Sequence, residues 1–165
     1  MRPAPHSWRK ALCATSLARH SILQMNTLMI QAFDHVVMTC RDLNATVDFY
    51  TRILGMRLEI FGEPPKPQRK ALRFGDQKFN LHQAGDKNIT DIYARTPTPG
   101  SLDLCLLASV PLDEVIAKLK SENVAIEAGP DKRTGARWPI RSVYIRDPDH
   151  NLIEISERWF DAAGQ

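Results

Sequence analysis

The chain has 165 residues, of which 43% are hydrophobic and 25% charged, a composition typical of globular proteins and not of disordered or collagen-like ones. Its three cysteines, Cys13, Cys40 and Cys105, show no Cys-x-x-Cys spacing, so neither a disulfide framework nor a cysteine zinc site is indicated. No apolar run approaches the roughly 20 residues that a transmembrane helix needs. We therefore expect one domain and no membrane partner.

The net charge of +3 is distributed unevenly along the chain. Residues 1–33 carry four basic residues and no acidic one, which leaves −1 for residues 34–165. A nucleic-acid-binding domain should carry a basic face of its own, so we expect no nucleic-acid partner. The N-terminal extension, residues 1–32, is rich in Arg, Ser and Ala, as mitochondrial transit peptides are. We expect a cytoplasmic protein with a disordered tail, and a mitochondrial protein with a targeting segment is the alternative.

The first predicted element after the extension is a β-branched apolar strand, Phe33–Cys40. A helix follows, with Asp42 as its N-cap and Gly55 at its C-terminal end. A strand is predicted at Arg57–Phe61, and two more strands surround a turn within residues 69–84. Residues 33–84 therefore form a βαβββ module.

Residues 101–157 repeat this order. A strand at Ser101–Ala108 precedes a helix that begins at Pro111, where proline loses only an unpaired N–H. A strand at Val124–Glu127 and a loop at Gly129–Pro139 come next, and the last two strands surround an Asp-Pro-Asp turn. The tail, residues 158–165, adds no element.

Two consecutive βαβββ modules predict an α+β fold in a single domain, residues 33–157. A strongly curved mixed sheet with helices outside buries its second face only against another sheet, within the chain or in a homodimer. We expect the two sheets to pair into a barrel-like cleft, and we expect a homodimer.

Four polar side chains stand in strands that are otherwise apolar: His35, His82, Asp103 and Glu154. Aligning the modules pairs His35 with Asp103 and His82 with Glu154. Imidazole and carboxylate together suit borderline divalent ions, namely zinc, nickel, cobalt, iron or manganese. Two neutral histidines and two carboxylates also balance a +2 charge. We expect at least three of these side chains to bind one ion, although Asp103 could equally be an edge or turn aspartate.

Three segments, FDHVVMTCRDLNATVDFYTRILGM, KALRFGDQKFNLHQAG and YIRDPDHNLIEIS, resemble the vicinal oxygen chelate superfamily, which includes glyoxalase I, extradiol dioxygenases and resistance proteins. The resemblance implies paired modules around an open metal centre with a small-molecule substrate. It places the family's ligand positions on His35, His82, Asp103 and Glu154. Glyoxalase I has a carboxylate where this chain has His82 and a histidine where it has Asp103, so the ligands agree in kind and not in place.

A glyoxalase I-like isomerase or lyase would act through a metal-bound enediolate. In that case Glu154 is the first candidate for the general base and Asp103 the second. An extradiol-type iron dioxygenase would use His35, His82 and Glu154 as a facial triad, and the dioxygenases also place a tyrosine ten residues before the glutamate, where Tyr144 stands. A non-catalytic protein that binds or sequesters a small molecule is a third possibility.

Tyr144 also has the plain interpretation of a core tyrosine. Aligning the modules with a shift of 71 residues pairs it with Arg73, so the two side chains are predicted to face one cavity from opposite modules. Cationic and phenolic groups suit an anionic or polyoxygenated ligand. Arg73 is therefore a candidate for substrate binding, and the use of glutathione stays open.

Overall fold

A computed structural model describes residues 29–86 and 92–160. The predicted N-terminal extension up to residue 28, and the last five residues of the predicted tail, lie outside the described residues. From Ala32 onward the described residues belong to one compact unit. None of the helices described here is both long and apolar enough to cross a bilayer.

The first module forms a four-stranded sheet, sheet A, in the strand order β1-β4-β3-β2. Strands β1 and β4 are parallel and the other neighbours are antiparallel. The Asp42 side chain caps the helix by accepting hydrogen bonds from the backbone N–H groups of Asn44 and Ala45, at 2.8 and 3.1 Å. The elements are β1 His35–Cys40, α1 Leu43–Asp48 with a π-helical turn at Phe49–Ile53, β2 Arg57–Phe61, β3 Arg69–Phe74 and β4 Gln77–Gln83.

The second module forms sheet B in the corresponding order, β5-β8-β7-β6, again with one parallel pair, β5 and β8. Its elements are β5 Asp103–Leu107, α2 Leu112–Ser121, β6 Ala128–Thr134, β7 Pro139–Arg146 and β8 Leu152–Arg158. The α+β fold of two βαβββ modules is confirmed. The two sheets remain separate and do not close into a barrel.

The predicted position of one strand is wrong. Residues Val124–Glu127 form no strand, and β6 occupies Ala128–Thr134, within the predicted loop. All residues of β6 are exposed, because it is an edge strand, and so it lacks the apolar alternation by which a strand is detected. Gly129 adopts a φ of +91°, and a Cβ there would lie 2.3 Å from the carbonyl oxygen of Ser142. The glycine that suggested a turn therefore allows β6 to approach β7.

The helix-facing sides of the two sheets share one hydrophobic core. Tyr50 and Ile53 of the first module and Leu112 and Leu119 of α2 belong to this core, together with alternate residues of β1, β4, β7 and β8. Outside the core, Arg52 pairs with Glu122, which follows α2. The helical sides of the modules are thus turned toward each other, and within residues 29–86 and 92–160 no helix lies on the opposite face of either sheet.

A buried carboxylate joins the modules. Asp147, in the turn between β7 and β8, is 4% exposed. Its Oδ1 accepts hydrogen bonds from the backbone N–H groups of Asp149 and Asn151, both at 2.9 Å. Its Oδ2 accepts from Asn151 Nδ2 at 2.7 Å and from the Tyr50 hydroxyl of the first module at 3.0 Å. Burial raises the pKa of Tyr50 most, and the Asp147 carboxylate raises it further. The hydroxyl therefore stays protonated and donates its hydrogen bond.

Two further contacts hold the same turn. The backbone N–H of Arg41, just after β1, donates to the buried carboxylate of Asp149 at 3.1 and 3.2 Å. Asn151 Oδ1 accepts from the backbone N–H of Leu102 at 2.9 Å, immediately before β5. The Asp-Pro-Asp-His-Asn segment, predicted only as a turn, therefore makes the buried polar contacts between the modules.

Replacing Tyr50 with Phe should lower the free energy of unfolding by about 2 kcal/mol, because the buried carboxylate loses one charged hydrogen bond. Urea unfolding at pH 7 measures the change. Tyr93→Phe is the matched control, because Tyr93 is 63% exposed and its replacement should have no effect. Equal stability of Tyr50→Phe and the unmodified protein would contradict this account of the interface.

Candidate functional site

The helix-free side of sheet A, which we call open face A, carries three rows of side chains across β1, β4, β3 and β2. Strand alternation and the pairing register define these rows. In strand order they are His35, Lys78, Arg73 and Arg57; then Val37, Asn80, Ala71 and Glu59; then Thr39, His82, Arg69 and Phe61.

The helix-free side of sheet B, open face B, follows the same plan across β5, β8 and β7. Its rows are Asp103, Leu152 and Arg146; then Cys105, Glu154 and Tyr144; then Leu107, Ser156 and Ser142. The first two residues of each row are neighbours on parallel strands, as on open face A.

Comparing the rows gives the structural correspondence between the modules. His35 corresponds to Asp103, as predicted. Glu154 corresponds to Asn80, two residues before His82, and Tyr144 corresponds to Ala71, two residues before Arg73. The sequence alignment is offset by two residues in both strand pairs, so the difference arises before β3 and β7, in the segments that follow β1 and β5.

The structure does not bring His82 to the position of His35. His82 lies opposite Thr39, four residues along β1 from His35, which corresponds to about 13 Å along the strand. Strand side chains stand nearly perpendicular to the sheet, so the two imidazoles do not converge, and a facial triad with Glu154 is not assembled. Burial lowers the pKa of His82 most, and the positive charge of Arg69 lowers it further. Within residues 29–86 and 92–160, no group of three or more His, Cys, Asp or Glu side chains is placed to hold a metal.

His35 and Asp103 do line one cavity, of about 290 Å³, which Lys78 and Cys105 also border. His35 Nδ1 lies 2.6 Å from Asp34 Oδ1. A carboxylate on one ring nitrogen orients the imidazole and leaves Nε2 for another partner. The first residues of β1 and β5 thus border one cavity, but others of its lining residues, which include Val36, Phe79 and Leu104, belong to the helix side of the sheets.

Asn80 is the residue that the sequence analysis missed. Its Oδ1 is buried without a hydrogen-bond partner among the described residues. Its neighbours across the strands are Val37 and Ala71, whose side chains donate no hydrogen bond. An unsatisfied buried acceptor costs about 1–3 kcal/mol, so such a group in a native fold suggests a partner that is absent from the isolated chain.

Glu154 stands beside hydroxyl and thiol groups on open face B. Ser156 Oγ lies 3.5 Å from Glu154 Oε1, 2.9 Å from Ser142 Oγ and 3.4 Å from Cys105 Sγ. Burial raises the pKa of Cys105, with Glu154 contributing in the same direction, so the thiol stays protonated at neutral pH. The Glu154 carboxylate therefore has hydrogen-bond donors, and no cation, as its neighbours in the row of Cys105, Glu154 and Tyr144.

Tyr144 lies directly across from Glu154 on β7. Its hydroxyl accepts a hydrogen bond from Arg133 Nε at 3.2 Å. Burial raises the pKa of Tyr144; Glu154 acts in the same direction and Arg133 opposes it. The phenol is therefore a neutral donor next to the carboxylate, and its partner is Arg133 of β6 and not Arg73.

Residues 32–155 match the Glyoxalase/Bleomycin resistance protein/Dioxygenase superfamily. The chain belongs to this superfamily. It is 43% identical over 152 residues, 92% of this chain and 81% of the relative, to Glyoxalase domain-containing protein RDO1 of Mycosarcoma maydis. It is 44% identical over 138 residues, 84% of this chain and 90% of the relative, to Virulence protein STM3117 of Salmonella typhimurium.

Solved structures agree with this membership. The crystal structure of the Salmonella virulence protein aligns with a TM-score of 0.73, covering 80% of this chain and 100% of that one at 43% identity. A lactoylglutathione lyase from Agrobacterium tumefaciens aligns with a TM-score of 0.59 at 22% identity, covering 78% and 94%. At that identity the likeness to the lyase concerns the fold alone.

Members of the superfamily commonly use a divalent metal, and the residues at corresponding positions of the two open faces fit one. His35 offers an imidazole, Asp103 and Glu154 offer carboxylates, and Asn80 offers a buried amide oxygen without a partner. Such mixed nitrogen and oxygen donors suit borderline divalent ions. The fit is thus better with Asn80 in the ligand set than with His82.

Proposed function

We propose that this chain is a metal-dependent lyase or isomerase of the glyoxalase I kind that acts on a small oxygenated molecule. Two pairs of corresponding positions support the proposal: His35 with Asp103, and Asn80 with Glu154. Among the described residues, the Oδ1 atom of Asn80 is buried and accepts no hydrogen bond. The motifs quoted above also resemble the small protein called glyoxalase domain-containing protein 5, and we place the chain in that subgroup as part of the proposal.

His35, Asn80, Asp103 and Glu154 would hold the ion, which is zinc, nickel, cobalt, iron or manganese. Two carboxylates balance its charge, and Asp34 orients the imidazole at 2.6 Å. When bound, the ion supplies Lewis-acid polarisation of two adjacent substrate oxygens.

The chain's own groups would move the proton. Glu154 is the base that takes a proton from the substrate carbon and returns it to the neighbouring one, and Asp103 is the second candidate. The neutral hydroxyl of Tyr144 donates a hydrogen bond toward this carboxylate or a substrate oxygen. Ser156, 3.5 Å from Glu154 Oε1, limits the orientations of the carboxylate.

A second copy of the chain would complete the site. The helical sides of both sheets share one core, so the open faces lie on the sides turned away from that core. Val37 on open face A and Leu107 on open face B are 43% and 60% exposed. We propose a homodimer in which open face A of one protomer meets open face B of its partner.

Replacing Asn80 with Leu should weaken binding of Ni²⁺ or Zn²⁺ by at least about tenfold, a loss that even outer-shell groups of metal sites produce. Isothermal titration calorimetry on protein freed of metal measures the affinity. Without metal, the Leu variant should be at least as stable as the unmodified protein, because an unpaired buried acceptor is removed.

His82→Gln is the matched control, because it alters the ligand that the sequence alignment selects and leaves the structural set intact. It should bind metal with unchanged affinity. Loss of metal binding in His82→Gln together with full binding in Asn80→Leu would show that the proposed ligand set is wrong.

Replacing Glu154 with Gln should lower turnover by about 10²-fold or more, the range for loss of a positioned acid or base. The assays use the hemithioacetal of methylglyoxal and glutathione, and catechols, with each metal in turn. Tyr144→Phe keeps the carboxylate and should reduce turnover less in a simple isomerase. If Glu154→Gln reacts at the unmodified rate, Glu154 is not the base.

Co-expressing His35→Ala and Glu154→Gln chains with different tags tests the shared site. Each homodimer has a defect in every site, whereas a heterodimer that shares sites between protomers has one intact site and one doubly defective site. The purified heterodimer should recover about half of the unmodified turnover per dimer, since sites act independently unless coupled. If the sites lie within single chains, the heterodimer should show no recovery.

A further inference from the structure

The first row of open face A places basic side chains side by side on four neighbouring strands. His35 lies opposite Lys78, Lys78 opposite Arg73, and Arg73 opposite Arg57. Adjacent strands are about 4.8 Å apart, and like charges directly opposite each other destabilise a sheet. A local conflict of this kind is expected where function requires it.

Among the described residues of open face A, one carboxylate, that of Glu59, pairs with these cations; it raises the pKa of Arg73 most, and Asp34 and Asp76 act in the same direction. Glu59 Oε2 lies 2.7 Å from Arg73 Nε, and its other oxygen lies 3.7 Å from Lys78 Nζ. Lys78 Nζ and the Arg69 guanidinium also lie 4.6 and 4.9 Å from the centre of the Phe61 ring, a favourable cation–π distance. Glu59 thus compensates part of this charge, and the cations still outnumber the carboxylates on the part of open face A that the structure describes.

The corresponding row of open face B carries no such charge. Leu152 takes the place of Lys78, and the one cation, Arg146, already binds Glu127 at 3.0 Å. The repeat does not require basic residues at this level, so the cationic row is particular to open face A.

The cationic row borders the proposed reaction site. Lys78 lies opposite His35, which is one of the proposed ligands, and its side chain is 20% exposed. Its ammonium group lies on open face A beside Glu59 and Phe61, the face on which the substrate is proposed to bind. Arg73 and Arg57 extend the positive charge away from His35 by about 5 Å per strand.

We propose that Lys78, Arg73 and Arg57 form a subsite for the anionic group of the substrate, which is then a small oxygenated acid. A carboxylate or phosphate would bind at Lys78 and Arg73, where the guanidinium offers paired donors, while the substrate's adjacent oxygens face His35 and Asn80. This inference rests on the proposed function, and it further specifies that the substrate is an anion.

Anion binding is tested on metal-free dimeric protein, so that the probes cannot bind through an ion. Malonate and inorganic phosphate are titrated at constant ionic strength while thermal unfolding is followed, with malonamide as the neutral analogue. We expect either anion to raise the melting temperature and malonamide to have no effect. A stronger response to malonate indicates a carboxylate substrate, and a stronger response to phosphate indicates a phosphate ester.

Lys78→Met and Arg73→Gln should each weaken anion binding by at least tenfold. Lys70→Gln is the matched control, because Lys70 lies on the helix side of β3, where its Nζ is 3.1 Å from Asn44 Oδ1, and its replacement should change nothing. The subsite is refuted if Lys78→Met and Arg73→Gln bind anions as the unmodified protein does, or if Lys70→Gln loses as much affinity as they do.

Metal titration of the same variants separates this inference from the proposed function. Lys78→Met and Arg73→Gln should keep the metal affinity of the unmodified protein, because neither residue is a proposed ligand. If the unmodified protein binds anions and no metal, the subsite stands and the metal-dependent activity does not. If it binds metal and no anion, the activity stands and the subsite does not.

Discussion

The arrangement of this protein depends on a carboxylate buried between its two modules. Asp147 receives hydrogen bonds from its own turn and from the Tyr50 hydroxyl of the other module. A buried charge is tolerable only when it is fully hydrogen-bonded, so the turn and Tyr50 must keep one relative position. Since the turn precedes β8, the same constraint fixes where Glu154 stands.

Duplication of one module has produced two faces of different chemistry. Open face A combines two histidines, an amide and a row of cations, whereas open face B combines Asp103 and Glu154 with hydroxyl and thiol groups. Opposite charges on surfaces that face each other favour their association and fix its orientation. One face can therefore specialise in the charge of a ligand while the other keeps the carboxylates.

Much of this fold follows from local patterns. Asp42 as an N-cap, the apolar alternation of the strands and the repeat of βαβββ order are properties of short segments, and each is present in the structure. Strand alternation was also sufficient to place His35, Asp103 and Glu154 on open faces. These features are predictable because a strand or a helix end depends on neighbours in sequence.

The remaining features depend on distant neighbours. Asn80 has no pattern of its own, and only its pairing with β1 and β3 makes it the counterpart of Glu154. The strand β6 is an edge without alternation, so sequence analysis moved it to earlier residues. Tyr50 and Asp147 are 97 residues apart, and no local signal connects a helical tyrosine to a turn aspartate.

The contact between the modules also changes the importance of the peptide that connects them. Residues 93–98 are exposed and form no strand or helix, whereas the Asp149 carboxylate binds the backbone just after β1 and the Asn151 amide binds the backbone just before β5. Because these hydrogen bonds fix the relative position of the two modules, the connecting peptide contributes little to it. The fold is therefore suited to assembly from two separately synthesised halves that are divided in this connection.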